Sequence, residues 1–551
     1  MRVTNKNEND ALLAMLAGVE ALLETVGQSL GPFGKATAMI SPDHGFVYTS
    51  HGIEIVQFFQ VTDSLEQVGV RFLRHATQEV SRFAGDATTT ATIVTGSLFI
   101  EAVKLITSGY NSTSIRSGIN QALEAALHNI KSMSRPIKDR NELRAVASSA
   151  SRGDERDIEA MMQAWDIAGD DGYITTEVAE PGDIGHDLRT SVVVNDGIRV
   201  GGMVGFTQGA TIDCAYDIVI LEDNAFRTLK PADLLSGLTG RQNPLLLFVN
   251  SMQSTIAYEK DDSDITLKAL LEGAESQQLQ LMVSVVPSHS YSDITLKEVA
   301  AFAGTSAAST KHRGPLPIGK VDNVKQSDGV LILSGGQTES DEFKKHIENL
   351  KRLVKEKKGS VDVARKRLAL MLNKYVKITA FDLSEEARSE RMTVLSNVMH
   401  AVINAHKSGL VPGGGSALAS AAHAISEARP SGELERFGFE AARRALTRPV
   451  YWIVKNAGKE PTSVIEEIQR LGSGMGFDAK TGQVCDLQER GVIDPTVNTL
   501  AILQTSISTI HAMLNVSSLI HIEDDSMMER DENRMGAPGS MGRGGRRGRS
   551  I

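Results

Sequence analysis

Residues 85–94 read Gly85-Asp86-Ala87-Thr88-Thr89-Thr90-Ala91-Thr92-Ile93-Val94, and an apolar helical pattern continues past Val103. Backbone N–H groups at a helix start, together with three hydroxyls, can hold phosphate oxygens. Asp86 beside them can bind a hard divalent cation such as Mg²⁺ or orient a water. The same residues would also make an ordinary Asp/Thr helix cap, so their surroundings must decide between the two. The stretch is not a Walker A loop, because Gly34-Lys35 is followed by Ala36 rather than by Ser or Thr.

Working outward, Leu12, Met15, Leu16, Val19, Leu22, Leu23, Val26 and Leu30 recur at three- and four-residue steps, the pattern of an amphipathic helix over 10–30. It ends at Gly31-Pro32-Phe33-Gly34. Short β-like stretches follow at 37–40 and 46–49, then helices at 61–83 and 115–133. From Tyr173 the texture changes. YITTEV, LRTSVVV, YDIVIL, PLLLFV and LQLMVSVV are β-branched or apolar runs that alternate with helical segments, as in an α/β domain. SDITLK occurs at 263–268 and again at 292–297, each copy opening a helix with Ser or Asp available as N-cap. Residues 343–372 read as a basic helical hairpin broken at Gly359-Ser360, and the chain is mostly helical from Ala387. Val411-Pro412-Gly413-Gly414-Gly415 precedes a helical run over 416–425. A hairpin-like stretch lies within 472–494. The Met-, Gly- and Arg-rich residues from 526 onward have a disordered composition. The order is helical, α/β, helical, which is most simply a helical base built from both chain ends with an α/β domain inserted into it.

Composition narrows the function classes. Among 551 residues, 41% are hydrophobic and 23% charged, enough to bury sizeable cores. With 58 basic against 68 acidic residues the formal charge is −10, which argues against a generic nucleic-acid-coating protein. Cys214 and Cys485 stand far apart, so neither a disulfide framework nor a Cys/His zinc spacing is present, and a reducing, cytoplasmic setting is expected. No uninterrupted apolar run reaches the roughly 18 residues of a membrane span, and from the polar stretch MRVTNKNEND a secretory signal is not expected.

In this order and at these separations the glycine elements are specific. LGPFGK (30–35), GDATTTATIV (85–94), VPGGGSALA (411–419), GFDAKTG (476–482) and GVIDPT (491–496) resemble the group I, GroEL-type chaperonins, and the Met/Gly-rich tail adds to the likeness. The resemblance implies a multidomain α and α/β fold. An equatorial helical domain would hold 1–135 and 408–525, and a hinge-like intermediate domain 136–192 and 376–407. An apical α/β domain would hold 193–375, followed by a tail over 526–551. It further implies seven-membered rings that use ATP, Mg²⁺ and K⁺ and capture non-native polypeptides. By motif, Leu30, Gly31 and Pro32 would contact the nucleotide, Asp86 would bind Mg²⁺, and Ala87, Thr88, Thr89 and Thr90 would lie on the phosphates. Gly414 and Gly415 would lie by the ribose, and Phe477, Ala479, Val492 and Asp494 would frame base and sugar. A serine within 148–151 would add a further contact.

The chain departs from the family pattern at two places. The family usually has an aspartate before the glycine matching Gly52, where His51 stands here. It usually has a second aspartate positioning the attacking water, where Asn397 stands. An amide can hydrogen-bond a water but cannot take its proton, and imidazole is no anionic partner for a metal. The catalytic set is therefore Asp86, His51 and Asn397, with slow hydrolysis expected, and the divergence would suit a virus-encoded copy. On the apical part, Leu234, Leu235 and Leu238, and Leu267, Leu270 and Leu271, form apolar stripes. An apolar rim would bind clients there, together with Met203, Val204 and Phe206, although such stripes also suit a core. A co-chaperonin lid would use the same patches. Arg543, Arg546, Arg547 and Arg549 add positive charge that would attract acidic non-native chains. A nucleotide-binding holdase is the nearest rival. A small-molecule phosphotransferase would need a second pocket with a free base, for which no motif is present.

Overall fold

In a computed structural model the described residues are 2–523, except 7, 42–44, 152, 171, 179–189, 195–197, 202, 207–212, 222–234, 236–242, 252–266, 288–294, 309–314, 328–329, 357–359 and 381–384. From the N-terminus come β1 (Arg2–Lys6), α1 (Glu8–Gly27), the hairpin strands β2 (Thr37–Ser41) and β3 (Gly45–Thr49), and α2 (Gly52–Phe58). There follow α3 (Glu66–Ala84), α4 (Thr88–Thr107), α5 (Ser112–Met133), α6 (Arg140–Ala150) and α7 (Glu155–Ala168). The middle of the chain supplies β4 (Tyr173–Val178), β5 (Thr190–Val194), β6 (Ile198–Gly201), β7 (Met203–Phe206), β8 (Cys214–Leu221), β9 (Leu245–Ser251), α8 (Leu267–Ser276) and β10 (Leu281–Pro287). It continues with α9 (Leu296–Phe302), β11 (Gly319–Ser327), β12 (Val330–Gly336), α10 (Asp341–Lys355), α11 (Val361–Met371) and β13 (Tyr375–Ala380). The C-terminal part holds α12 (Glu385–Ser408), β14 (Leu410–Pro412), α13 (Ser416–Glu427), α14 (Glu435–Asn456) and α15 (Pro461–Leu471). It ends with β15 (Met475–Asp478), β16 (Gln483–Asp486), β17 (Ile493–Pro495), α16 (Thr496–Met513) and β18 (Leu519–Glu523).

The chain divides into two units, Met1–Ile158 with Leu383–Ile551, and Glu159–Asp382. The helical base from both chain ends is therefore present, with the insertion between them in sequence. The expected intermediate segments, 136–192 and 376–407, fall across this division, and the first boundary lies inside α7.

In the helical unit α4 is the central element. It is long and apolar enough to cross a bilayer by length and composition. Yet Ile93, Val94, Leu98, Phe99 and Val103 are fully buried, and α1, α3, α5, α14 and α16 pack around the helix. Two helix crossings rest on pairs of glycines. A Cβ on Gly69 would fall 2.3 Å from the Met15 carbonyl oxygen, and one on Gly18 2.1 Å from that of Glu66, so α1 and α3 meet backbone to backbone. Gly118 and Gly438 bring α5 and α14 together in the same way. Thr77 and Thr92, 2.7 Å apart, and Thr95 and Ser506, 2.8 Å apart, satisfy each other's buried hydroxyls between helices. The chain ends close the unit, β1 pairing antiparallel with β18 from Arg2↔Glu523 to Lys6↔Leu519.

The inserted unit carries a seven-stranded sheet in the order β6-β12-β11-β8-β9-β10-β7, with β8, β9 and β10 mutually parallel. Tyr216, Ile218, Ile220, Leu246 and Phe248 face one apolar layer, while Val219, Leu221, Leu245, Leu247 and Val249 face the other. Burial of both faces explains why these strands read as continuous apolar runs rather than alternating ones. A second sheet has the order β4-β13-β5. The basic hairpin is present as α10 and α11, the Ser360 hydroxyl accepting the Val363 N–H as an N-cap. In the second SDITLK copy the cap is Thr295 rather than Ser292 or Asp293, because Glu298 reaches back to the Thr295 N–H at 2.7 Å in a capping box. The cap of the first copy, at 263–266, lies outside the described residues.

Because the Met15 carbonyl belongs to a helix backbone that cannot yield cheaply, Gly69→Ala should destabilise the helical unit by about 1–3 kcal/mol. A thermal melt of the variant should lie several degrees below the parent, and an unchanged melt would show that α1 and α3 do not meet at this point.

Candidate functional site: a phosphate-type turn under a polar helix face

The turn between α3 and α4 is built on left-handed backbone. Gly85, the C-cap of α3, has φ 68°, and Ala87, the residue before α4, has φ 66°. An alanine in this region costs about 1–2 kcal/mol, a strain that persists only where the surroundings impose it. The first N–H groups of α4 have no partner within the helix, and Thr88, Thr89 and Thr90 are half-buried beside them. The turn thus presents N–H groups, hydroxyls and the Asp86 carboxylate from one short segment.

Three other segments converge on it. At the start of α2, a Cβ on Gly52 would fall 2.1 Å from Thr89 Oγ1, which brings His51-Gly52 against the threonines. His51 is buried, and its backbone N–H donates to Thr49 Oγ1 at 3.0 Å. From β17 comes Asp494, paired in register with Val411 of β14. Burial, and next the charge of Asp86, push its carboxyl up to about 7 from 3.8. From the C-terminal half comes α12. The His400 ring lies on Gly85, where a Cβ would come within 2.3 Å of it. Asn404 Nδ2 donates to the Ala84 carbonyl at 2.6 Å and to Asn498 Oδ1 at 3.0 Å. Asn397 stands one helical turn before His400 and is half-buried. The other end of α12 is fixed by Ser50 Oγ donating to Glu390 at 3.0 Å and by Arg391 bonded at 2.7 Å to the buried Asp157.

The remaining glycine elements join the same region. Gly414 and Gly415 have φ 59° and 76°, and Gly413 N–H donates to the Val492 carbonyl at 2.9 Å. Gly415 packs on Pro449 and Val450 of α14. Leu30, Phe477 and Ala479 share one apolar cluster with Val450 and Ile453, and Gly31 approaches Ile453. Ser151 is buried, and the nearby Gly153 faces Lys480. Among the described residues no group of three or more His, Cys, Asp or Glu side chains is arranged to hold a metal. One or two carboxylates suit Mg²⁺ when phosphate oxygens and waters complete its shell, and Asp86 with its neighbour Asp494 would fit that requirement.

The apical candidates fare differently. Leu235 and Leu270 are 2% and 0% exposed, packed against Leu247 and Val283 in one layer of the sheet, which corrects their expected role as surface contacts. On α8 the inward pair is Leu270 and Ala274, one turn apart, and these two serve the core; Leu271 is only partly buried. Met203, Val204 and Phe206 lie on β7, an edge strand paired with β10 from Met282↔Phe206 to Val285↔Met203. Leu267 opens α8, whereas Leu234, Leu238 and the tail arginines lie outside the described residues. His400 and Asn404 escaped the sequence reading. Their signal was a polar stripe with Asn397 at i, i+3 and i+7, on a helix whose Val398, Val402 and Ala405 are buried.

The TCP-1/cpn60 chaperonin family model matches residues 22–169 and 295–523, more than half of the chain and every nucleotide-site candidate named above. The chain therefore belongs to the chaperonin family, and its fold is the multidomain chaperonin fold. Membership gives it a chaperone role in protein folding. The match is interrupted over 170–294, the interval that holds all the candidate polypeptide contacts.

A carboxyl whose pKa is raised on folding contributes stability that is full below its unfolded value and lost as pH rises through its folded value. In metal-free protein the Asp494 contribution should therefore be complete below about pH 4 and gone above about pH 7. Melting temperatures taken with chelator between pH 5 and 8 should fall with pH more steeply for the parent than for Asp494→Asn. Parallel slopes would remove Asp494 from this role.

Proposed function

We propose that this chain is a subunit of an ATP-dependent ring chaperonin that captures non-native polypeptides and cleaves ATP slowly. The observation that carries this reading is the left-handed Gly85–Ala87 turn, with α12 seated on it through His400 and Asn404. In this reading the N–H groups and hydroxyls of Thr88, Thr89 and Thr90 bind phosphate oxygens. Asp86, with Asp494 beside it, takes Mg²⁺, and K⁺ serves as an accessory monovalent cation. When bound, Mg²⁺ neutralises phosphate charge. Gly414 and Gly415 lie by the ribose, Phe477, Ala479, Val492 and Asp494 frame base and sugar, and Leu30, Gly31 and Pro32 contact the nucleotide. Asn397, carried by α12, orients a water through its amide but cannot remove a proton from it. His51 stands by Thr89 without a fixed negative charge. Proton transfer by a positioned base usually contributes about 10²–10⁴-fold, which sets the scale of the expected deficit.

Ring assembly is supported by the β2–β3 hairpin, where Ile40, Phe46 and Tyr48 are 88%, 61% and 51% exposed. Apolar side chains so exposed on one hairpin suit a contact that repeats head to tail, and the resemblance gives seven copies per ring. Client binding is proposed on the edge strand β7 and around Leu271, with Leu235 and Leu270 excluded. A holdase that binds nucleotide and clients with scarcely any turnover is the second reading, favoured by the amide at Asn397.

Phosphate release by the assembled protein separates these readings. Asn397→Asp should raise steady-state turnover at least tenfold, and Asp86→Ala should abolish it. A parent as fast as Asn397→Asp would overturn the slow-hydrolysis reading. Ile40→Asp should shift assemblies toward smaller species in sedimentation velocity, and an unchanged distribution would remove the hairpin from the ring contact.

A further inference from the structure

At the opposite end of α3 from the Gly85 turn lies a cavity of about 420 Å³, lined on its apolar side by Val61, Leu65, Val68 and Ile520 and on its charged side by Arg71 and Arg74. The lining contains no Asp or Glu. Arg74 is half-buried and gives its Nε–H and one Nη2–H to the Val56 and Phe59 carbonyls, at 3.1 and 2.8 Å, which leaves three of its five N–H groups for an acceptor. Burial, and next the charge of Arg71, pull its pKa below the usual arginine value. Arg71 is exposed, and no carboxylate among the described residues pairs with either guanidinium. On the helix Arg71 has Gln67 and Val68 behind it and Arg74 and His75 ahead, so no acid stands at i±3 or i±4. Two positive charges side by side over an apolar floor call for an anion with an apolar part.

Such a segment begins where the cavity wall ends. Ile520, in that wall, lies on β18, and Glu523 ends the strand three residues later, about 10 Å along it. The sequence then continues Asp524-Asp525-Ser526-Met527-Met528-Glu529-Arg530-Asp531-Glu532. Residues 523–532 hold six carboxylates against one arginine, with two adjacent methionines between acids. Unbranched methionines adapt to irregular apolar surfaces, and arginine pairs carboxylates in a two-pronged geometry. The four arginines at 543–549 lie well beyond this block, so the sequence separates an acidic root from a basic end.

We propose that the acidic segment 523–532 of the same chain docks in this cavity, its carboxylates on Arg71 and Arg74 and Met527-Met528 on Val61, Leu65 and Val68. Docking anchors the root of the C-terminal segment to α3 and leaves the basic end free. The inference is independent of the nucleotide reading, because no residue of the cavity belongs to that site.

The full-length protein tests it. Arg71→Lys keeps the charge and supplies an amine that a zero-length carbodiimide can join to a touching carboxylate. Peptide mapping should find the introduced amine coupled to Asp524, Asp525 or Glu529, with Lys377–Glu177, 2.6 Å apart, as the internal control. Coupling of that amine only to other segments, or no product at position 71 while the control pair couples, would overturn the proposal. In a second measurement, trypsin should cut after Arg530 at least fivefold faster in Arg71→Glu than in the parent at low salt, with cutting after Arg543 unchanged. Equal rates after Arg530 would also overturn it.

Discussion

The site depends on a backbone constraint, the left-handed turn at Gly85 and Ala87. Two long helices, α3 and α4, must reverse within three residues, and they can do so only if the chain enters a region that L-residues avoid. Gly85 enters it without penalty and Ala87 does not, so the surrounding contacts hold Ala87 there. Those contacts are the ones that make a site: Gly52 against Thr89, His400 against Gly85, Asn404 on the Ala84 carbonyl and Asp494 beside Asp86. Loosening the turn would spread the α4 N–H groups and also remove the seat of α12. The proposed anion-binding geometry and the seat of α12 are therefore the same geometry.

Asn397 and His51 acquire meaning from that arrangement. Both stand on segments that reach the turn, so in the proposed reading an amide and an imidazole at these positions would alter the chemistry without dismantling the turn. Burial first, and the charge of Asp86 second, push the Asp494 carboxyl up to about 7. A cation held between these carboxylates and phosphate would displace the Asp494 proton. The residues thus favour binding more clearly than they favour cleavage.

Much of this was legible in the sequence, for identifiable reasons. YITTEV is β4 residue for residue, and the apolar runs at 216, 244 and 279 are β8, β9 and β10, because a strand buried on both faces leaves an unbroken apolar signature. The helix expected from Val61 starts five residues later, at Glu66. The Gln67 side chain accepts the Val61 N–H and Asp63 accepts those of Leu65 and Glu66, so polar loop residues do what a further helical turn would have done. Leu235 and Leu270 were unreadable in another sense, since an apolar stripe looks the same whether it faces a sheet or a client. His400 and Asn404 act on residues more than 300 positions away, a distance that no local pattern spans. The glycine elements at 31, 85, 414 and 415 were readable because each is needed locally, by a turn or a close approach.

The central claim is that the buried Asp494, its carboxyl pushed up to about 7, gives up its proton when Mg·ATP binds at the proposed site. Calorimetric titration of the full-length protein with Mg·ATP near pH 6.5, in two buffers of different ionisation enthalpy, tests it most directly. The account predicts saturable binding with net release of protons to the buffer, and release should disappear in Asp494→Asn while binding persists. Absence of binding, or binding with no proton released by the parent, would contradict it.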